Sequence, residues 1–155
     1  MYKVKMDGQT LYYPGDKEAV LTNPTLNLQT GYAGTFEFLV PPNNPLYDKI
    51  KNRSSMVSVF RDTTEIFYGE VRKQPKIDRY RNKNVYCAGA MSFLADSIQP
   101  QAEYHDMTPR QMLETFLDIH NNQVEDRKKI YLGKVTITDA NDSLYRYTNF
   151  ENTLK

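Results

Sequence analysis

The first hundred residues are built from short runs whose apolar side chains recur at every second position. YKVKM places Tyr2, Val4 and Met6 on one side, and TFEFLV does the same with Phe36, Phe38 and Val40. MVSVF sets Val57 and Val59 on one face, with Met56, Ser58 and Phe60 on the other. A period of two is the side-chain period of a strand, whereas a helix repeats every 3.6 residues. Turn residues separate the runs: Asn23-Pro24 lies between Val20 and the pair Leu26 and Leu28, and Asp62-Thr63 precedes EIFYGEVRK. Short alternating runs punctuated in this way point to an antiparallel sheet or barrel. Gly69 inside EIFYGEV reads as a bulge where a strand turns a barrel corner. In QPKIDRYRNKNVYCAGA, residues Arg81, Asn82, Lys83 and Asn84 read as the polar tip of a further hairpin.

Three windows break the alternation. In NNPLYDKI, residues 43–50, Asn44 suits an N-cap and Pro45 the first helical position. Leu46, Tyr47 and Ile50 then form a small apolar face, which we read as a short helix plugging an open barrel end. GAMSFLADSI gives Met91, Leu94 and Ala95 helical spacing and predicts a second short helix. The clearest helix is MTPRQMLETFLDIHNN, expected over residues 109–120. Thr108 is its N-cap, Pro109 its first residue and Gln111 the partner in a capping box, with Met107 and Met112 placed as a hydrophobic staple. Met112, Leu113, Phe116, Leu117 and His120 make its apolar face, and Asn121-Asn122 ends it.

Beyond that helix, KKIYLGKVTIT is again strand-like through Val135 and Ile137. The expected fold is mainly β, of α+β type. A β-barrel-like domain with short helices spans residues 1–100. One amphipathic helix plus strands over residues 101–155 begins a second α+β domain, and the NTLK ending reads as an internal boundary of a longer chain.

The chain's 20 Lys and Arg nearly balance 19 Asp and Glu, giving a net charge of +1. There is no global electrostatic pull toward nucleic acid or an anionic membrane. No apolar run approaches the ~18 residues of a spanning helix, so no membrane insertion is expected. The N-terminal MYKVKMDGQT has no apolar signal core. Cys87 is the only cysteine, which excludes an internal disulfide; it alternates with Val85 and is expected in a core.

Motifs for chemistry are sparse. The chain has two histidines: His105 lies beside Glu103 and Asp106, and His120 falls at a helix C-terminus, where the dipole favours a cation. Neither belongs to an HExxH or Cys-pair pattern that would converge three or four metal ligands. DANDS, residues 139–143, fails the calcium-loop test because its sixth position is Leu144 and its twelfth Phe150, so an Asx turn is expected there. There is no GxSxG, CxxC or glycine-rich phosphate loop, and Glu65, Glu70 and Glu114 have no assignable partner. The expectation is therefore no catalytic, cofactor or metal site. RKQPKIDRYRNK is the one charge-biased patch, with Arg72, Lys73, Lys76, Arg79, Arg81 and Lys83 around Tyr80. Such a patch can hold nucleic acid, though basic residues equally guard a solvated hairpin edge, the reading we favour.

Taken in order, these segments resemble the N-terminal region of phage and prophage tail proteins of the endopeptidase-tail, tail-associated lysin or baseplate-hub type. FEFLVPPNNPLYDKIKNRSSMVSVFRDTTEIFYGEV resembles that family's F-x-F strand, Pro/Asn-rich corner, PLYDKI-like helix, V-x-V-x-R-D strand and E-I-F-x-G-x-V strand. NVYCAGAMSFLADSIQP and TPRQMLETFLDIHNNQVEDRKKIYLGKVTITDAND follow in the family's order, so the resemblance runs from about Thr35 to Asn152. It implies a non-enzymatic structural part of a virion tail tip, assembled in the bacterial host cytoplasm. It further implies a homo-oligomer, a trimer in the full-length protein, that contacts distal-tail and tail-tube proteins and lets DNA pass. Family members carry host-wall-acting domains further along the chain, which makes a cell-wall peptidase or muramidase the alternative.

Overall fold

The computed structural model describes residues 1–138 and 144–154 and divides the chain into two compact units, Met1–Met91 and Ser92–Lys155. The DANDS stretch lies outside the described residues.

The first unit is a curled, antiparallel half-barrel of eight strands. In chain order they are β1 (Tyr2–Met6), β2 (Gln9–Tyr12), β3 (Thr22–Asn27), β4 (Thr35–Val40), β5 (Met56–Arg61), β6 (Thr64–Val71), β7 (Lys76–Ile77) and β8 (Lys83–Gly89). Across the sheet the order is β2-β1-β5-β6-β8-β4-β3, with β7 paired to β8. The alternation sets the core. Phe36, Phe38 and Val40 of β4 are buried, and the ladder places Phe36 opposite Cys87 and Phe38 opposite Val85. The Phe36 ring lies 4.7 Å from that of Phe38 and 6.0 Å from that of Phe67. Val4, Val57, Val59 and Val71 belong to the same cluster.

Gly69 answers a different demand from the one its sequence suggests. It sits in an unbroken register opposite Val57 and Gly89; the irregularity in this pair of strands lies between Val59 and Phe60. A Cβ on Gly69 would stand 2.3 Å from the Ala88 carbonyl oxygen and 2.7 Å from Phe67 Cζ. The residue is therefore glycine because β8 crosses too close for a side chain. A true break occurs at Asn23-Pro24, where Asn23 takes φ 50° and the β3–β4 register shifts between Thr22 and Thr25. Proline is tolerated there because β3 is an edge strand.

The β7–β8 hairpin turns earlier than expected. Asp78 Oδ1 accepts the amides of Tyr80 and Asn82 at 2.8 Å each, and Arg81, with φ 67°, takes the left-handed position. Lys83 and Asn84 already belong to the strand, opposite Ile77 and Lys76.

In the second unit, β9 (Ala102–Met107) pairs antiparallel with β10 (Leu144–Thr148), and α1 runs from Pro109 to Asn121. The capping box is present: Thr108 Oγ1 accepts the Gln111 amide at 3.1 Å, and Gln111 Oε1 accepts the Thr108 amide at 2.9 Å. Ala90–Asp96 is a 3-10 helix, whose buried side chain is Phe93, while Met91 is exposed. Residues 129–138 belong to no helix or strand, against the strand pattern of Val135 and Ile137; Ile137 is 74% exposed. No helix among the described residues is long and apolar enough to cross a membrane.

Two measurements follow from this packing. Gly69→Ala should lower unfolding stability by about 2–3 kcal/mol through overpacking against backbone, read by urea denaturation. Gly133→Ala, where an added Cβ meets nothing within 4 Å, should stay within about 0.5 kcal/mol. The Cys87 thiol is fully buried, and desolvation pushes its pKa up, far above the ordinary thiol range. Its contribution to stability is thus complete below the unfolded thiol's pKa of about 8.5 and drains away above it. Between pH 7.5 and 9.5 the chain should lose about 1.4 kcal/mol on this account, and Cys87→Ala should remove that increment.

Candidate functional site: the Asn44–Tyr47 corner and the open cleft

The corner between β4 and β5 starts from two prolines, which forbid ladder bonds and turn the chain out of the sheet. Asn44 then bonds far along the sequence rather than capping a helix. Its Nδ2 donates to the Leu11 carbonyl at 2.9 Å and to the Val20 carbonyl at 3.0 Å, while Oδ1 accepts the Leu46 amide at 3.0 Å. With the side chain 3% exposed, these bonds are made away from water. The helical portion shrinks to a single 3-10 turn, Tyr47–Lys49, starting two residues after Pro45.

Of the three residues expected to form a plug, Leu46 and Ile50 are buried in the core cluster, and Tyr47 is partly buried against it. Tyr47 also reaches the β7–β8 hairpin, a neighbour that no local pattern announces. Its hydroxyl donates to the Arg81 carbonyl at 2.5 Å. Lys83 Nζ returns the contact by donating to the Tyr47 carbonyl at 2.6 Å, lies 3.3 Å from Asp48 Oδ1, and sits 4.0 Å from the centre of the Tyr47 ring.

The basic patch is accordingly divided. Arg72 Nε lies 3.0 Å from Glu70 Oε2, with the Glu70 side chain fully buried and that of Arg72 12% exposed, so Glu70 does have a partner. Glu114 has one too, Arg110 Nε at 2.8 Å. Lys73 stands over the Tyr86 ring at 4.0 Å, and Arg79 over Tyr80 at 4.7 Å. Lys73, Lys76, Arg79 and Arg81 are the members left exposed, beside the exposed Ile77 and Tyr80.

The half-barrel leaves an open cleft of about 840 Å³ on its concave side. Val4, Leu21, Leu26, Phe36, Val59 and Ile66 supply apolar walls, with Tyr2, Tyr12, Leu28 and Arg61 among the other lining residues. Tyr2 and Leu28 remain more than half exposed. The two edges bounding the sheet differ. The β2 edge is engaged through the Asn44–Leu11 bond, whereas β3 has no strand beyond it among the described residues.

The second unit contains a pair that the sequence did not advertise. Ser97 Oγ lies 2.7 Å from His120 Nδ1, although the residues are 23 apart and share no motif. His120 Nε2 faces the Lys128 carbonyl at 3.2 Å, which can only accept, so that nitrogen carries the proton. In the neutral ring Nδ1 then accepts from Ser97. Ser97 Oγ in turn accepts from Thr153 Oγ1 at 2.7 Å, and Thr153 accepts from Gln99 Nε2 at 2.7 Å. A serine nucleophile needs a base that takes its proton and an open path to substrate. Here Ser97 is 1% exposed and His120 fully buried. The chain of bonds fastens α1 to the segments carrying Gln99 and Thr153, with His120 as a buried linker. His105 Nε2 lies 3.4 Å from Glu103 Oε2 on the surface, and among the described residues no three His, Cys, Asp or Glu side chains converge on a metal-sized site.

Comparison with protein families and with curated proteins finds no match.

Asn44→Ala would strand three backbone partners, two of them buried, and should cost about 2–4 kcal/mol. Tyr47→Phe removes one bond at the surface and should cost about 1 kcal/mol. Urea denaturation of the two variants tests whether the corner is held chiefly by Asn44.

Proposed function

We propose that this chain is a structural module of a phage or prophage tail-tip hub. It works by assembling copies into a ring that continues the tail tube and anchors host-wall-acting domains. The observation that carries this reading is the open apolar cleft of the half-barrel, bounded on one side by an unpaired strand edge. An unpaired strand edge beside an apolar cleft is a template for another chain. The ordered resemblance of FEFLV, PLYDKI, MVSVFRD and EIFYGEV to tail hubs gives the partner its class. Assembly also suits the surface distribution of tyrosine, since Tyr2, Tyr32 and Tyr80 are all more than half exposed.

In this reading the full-length protein is a trimer that meets distal-tail and tail-tube proteins. Of the basic patch, Lys73, Lys76, Arg79 and Arg81 are the exposed members that could meet passing DNA. A cell-wall peptidase or muramidase would need an accessible nucleophile or a metal, and Ser97 and His120 supply neither because both are buried.

Mass measurement of the full-length protein at micromolar concentration should give a trimer that joins tail particles. A stable monomer excluded from those particles would overturn the proposal. This chain alone should leave no cleared zone on a cell-wall zymogram, and clearing would replace the structural reading with the enzymatic one.

A further inference from the structure

The strand-like pattern after α1 and the unpaired edge of β3 are complementary. In residues 131–138 the odd positions are Tyr131, Gly133, Val135 and Ile137, and the even positions are Leu132, Lys134, Thr136 and Thr138. One face is thus largely apolar and the other largely polar, which is the pattern of a half-buried strand. Yet the segment joins no ladder, and Tyr131 and Ile137 are 79% and 74% exposed. It is anchored just upstream, where Asn121 Nδ2 donates to the Ile130 carbonyl at 2.8 Å and Asn121 Oδ1 accepts the Ile130 amide at 2.9 Å. Asn121 therefore imitates a strand neighbour for one residue, and the following eight join no ladder among the described residues.

The edge of β3 offers what the segment lacks. Its first half is blunted by the Asn23 kink and by Pro24, which has no N–H. Thr25–Asn27 continues to Leu28, and Leu26 and Leu28 line the cleft. The β3 strand is six residues long, about 20 Å, so an eight-residue strand of about 26 Å covers it.

Charge identifies the donor. Residues 1–91 carry 13 Lys and Arg against 9 Asp and Glu, net +4; residues 92–155 carry 7 against 10, net −3. The near-zero total hides two units of opposite sign. Opposite net charges on the two units suit a head-to-tail approach of two copies, the basic unit of one against the acidic unit of the next.

We propose that residues Tyr131–Thr138 of one copy add as a strand to the β3 edge of a second copy, laying Tyr131, Val135 and Ile137 over its apolar cleft. Such an interface is heterologous, so it closes into a ring when the rotation permits. The inference rests on the assembly reading above and specifies its contact.

The test uses the whole chain and exploits the burial of Cys87, which keeps the native thiol from competing. One pool carries Leu28→Cys and another Ile137→Cys, both at exposed positions. Mixed at micromolar concentration with a short bis-maleimide, the pools should give a two-copy product in far higher yield than either pool alone. Ile137→Asp should weaken self-association about tenfold, read by analytical ultracentrifugation, without lowering the melting temperature. If copies associate but the mixed pools give no excess of cross-linked product, strand donation is wrong while the assembly reading stands. Concentration-independent cross-linking within single copies of the Leu28→Cys/Ile137→Cys double variant would also overturn it, because the segment would then cover its own cleft. A chain that stays monomeric throughout removes both.

Discussion

The side-chain amide of Asn44 is the interaction on which the first unit depends. Its two donors fasten the β4–β5 corner to the carbonyls of Leu11 and Val20, and its oxygen fixes the backbone at Leu46. All three partners are backbone groups that lie beyond the regular ladder, and a buried unpaired carbonyl or amide costs about 1–3 kcal/mol. One side chain therefore pairs three such groups, two of them buried. It also sets the position from which Leu46 and Ile50 enter the core and Tyr47 reaches the hairpin tip. The sheet pauses at NNPLYDKI because a corner held in this way joins β4 to β5 while reinforcing β2, which is only four residues long.

The same economy governs the close approaches on the other side of the sheet. Gly69 and Gly89 face each other in the ladder, and a Cβ on Gly89 would come within 1.8 Å of the Ala33 carbonyl oxygen. The Gly89 amide donates to the Gly34 carbonyl at 3.0 Å, so the loop before β4 lies directly against the end of β8. Two positions without side chains let β6, β8 and this loop converge, and Phe67 fills the space beside them. Curling is thus built into the β6–β8 junction. It brings the remaining strands round the concave face, where the sheet stops short of closing.

What was legible in the sequence is what local chemistry determines. Alternation located β1, β4, β5, β6 and β8 because each burial choice is made residue by residue, but it did not single out β2. Thr108, Pro109 and Gln111 located α1 because a capping box is completed within four residues. Sequence failed where the deciding partner is remote. Asn44 resembles an N-cap until Leu11 and Val20 are in place. Gly69 resembles a bulge until Ala88 is opposite. Arg81 takes the left-handed turn position in spite of its side chain because Asp78 collects the amides of Tyr80 and Asn82. Ser97 and His120 share no motif because their pairing is made by the approach of α1 to a distant loop. The strand pattern at Val135 and Ile137 is a sharper case: the local preference is present, but a ladder needs a second strand.

The charge patterning carries the same lesson one level higher. A count of residues gives six cations between Arg72 and Lys83, and composition alone would treat them as one surface. Folding assigns them separate work. Arg72 neutralises a buried carboxylate, Lys83 holds the Tyr47 turn, and Lys73 and Arg79 cover aromatic rings. A cation committed to a buried partner is not available to an external phosphate, because releasing it would leave that partner charged and desolvated. Four of the six, Lys73, Lys76, Arg79 and Arg81, keep exposed side chains. Conversely, the whole-chain balance of +1 understates the field, since it averages a basic first unit with an acidic second one. Neither the local patch nor the global sum measures what a partner would meet; the exposed remainder on each unit does.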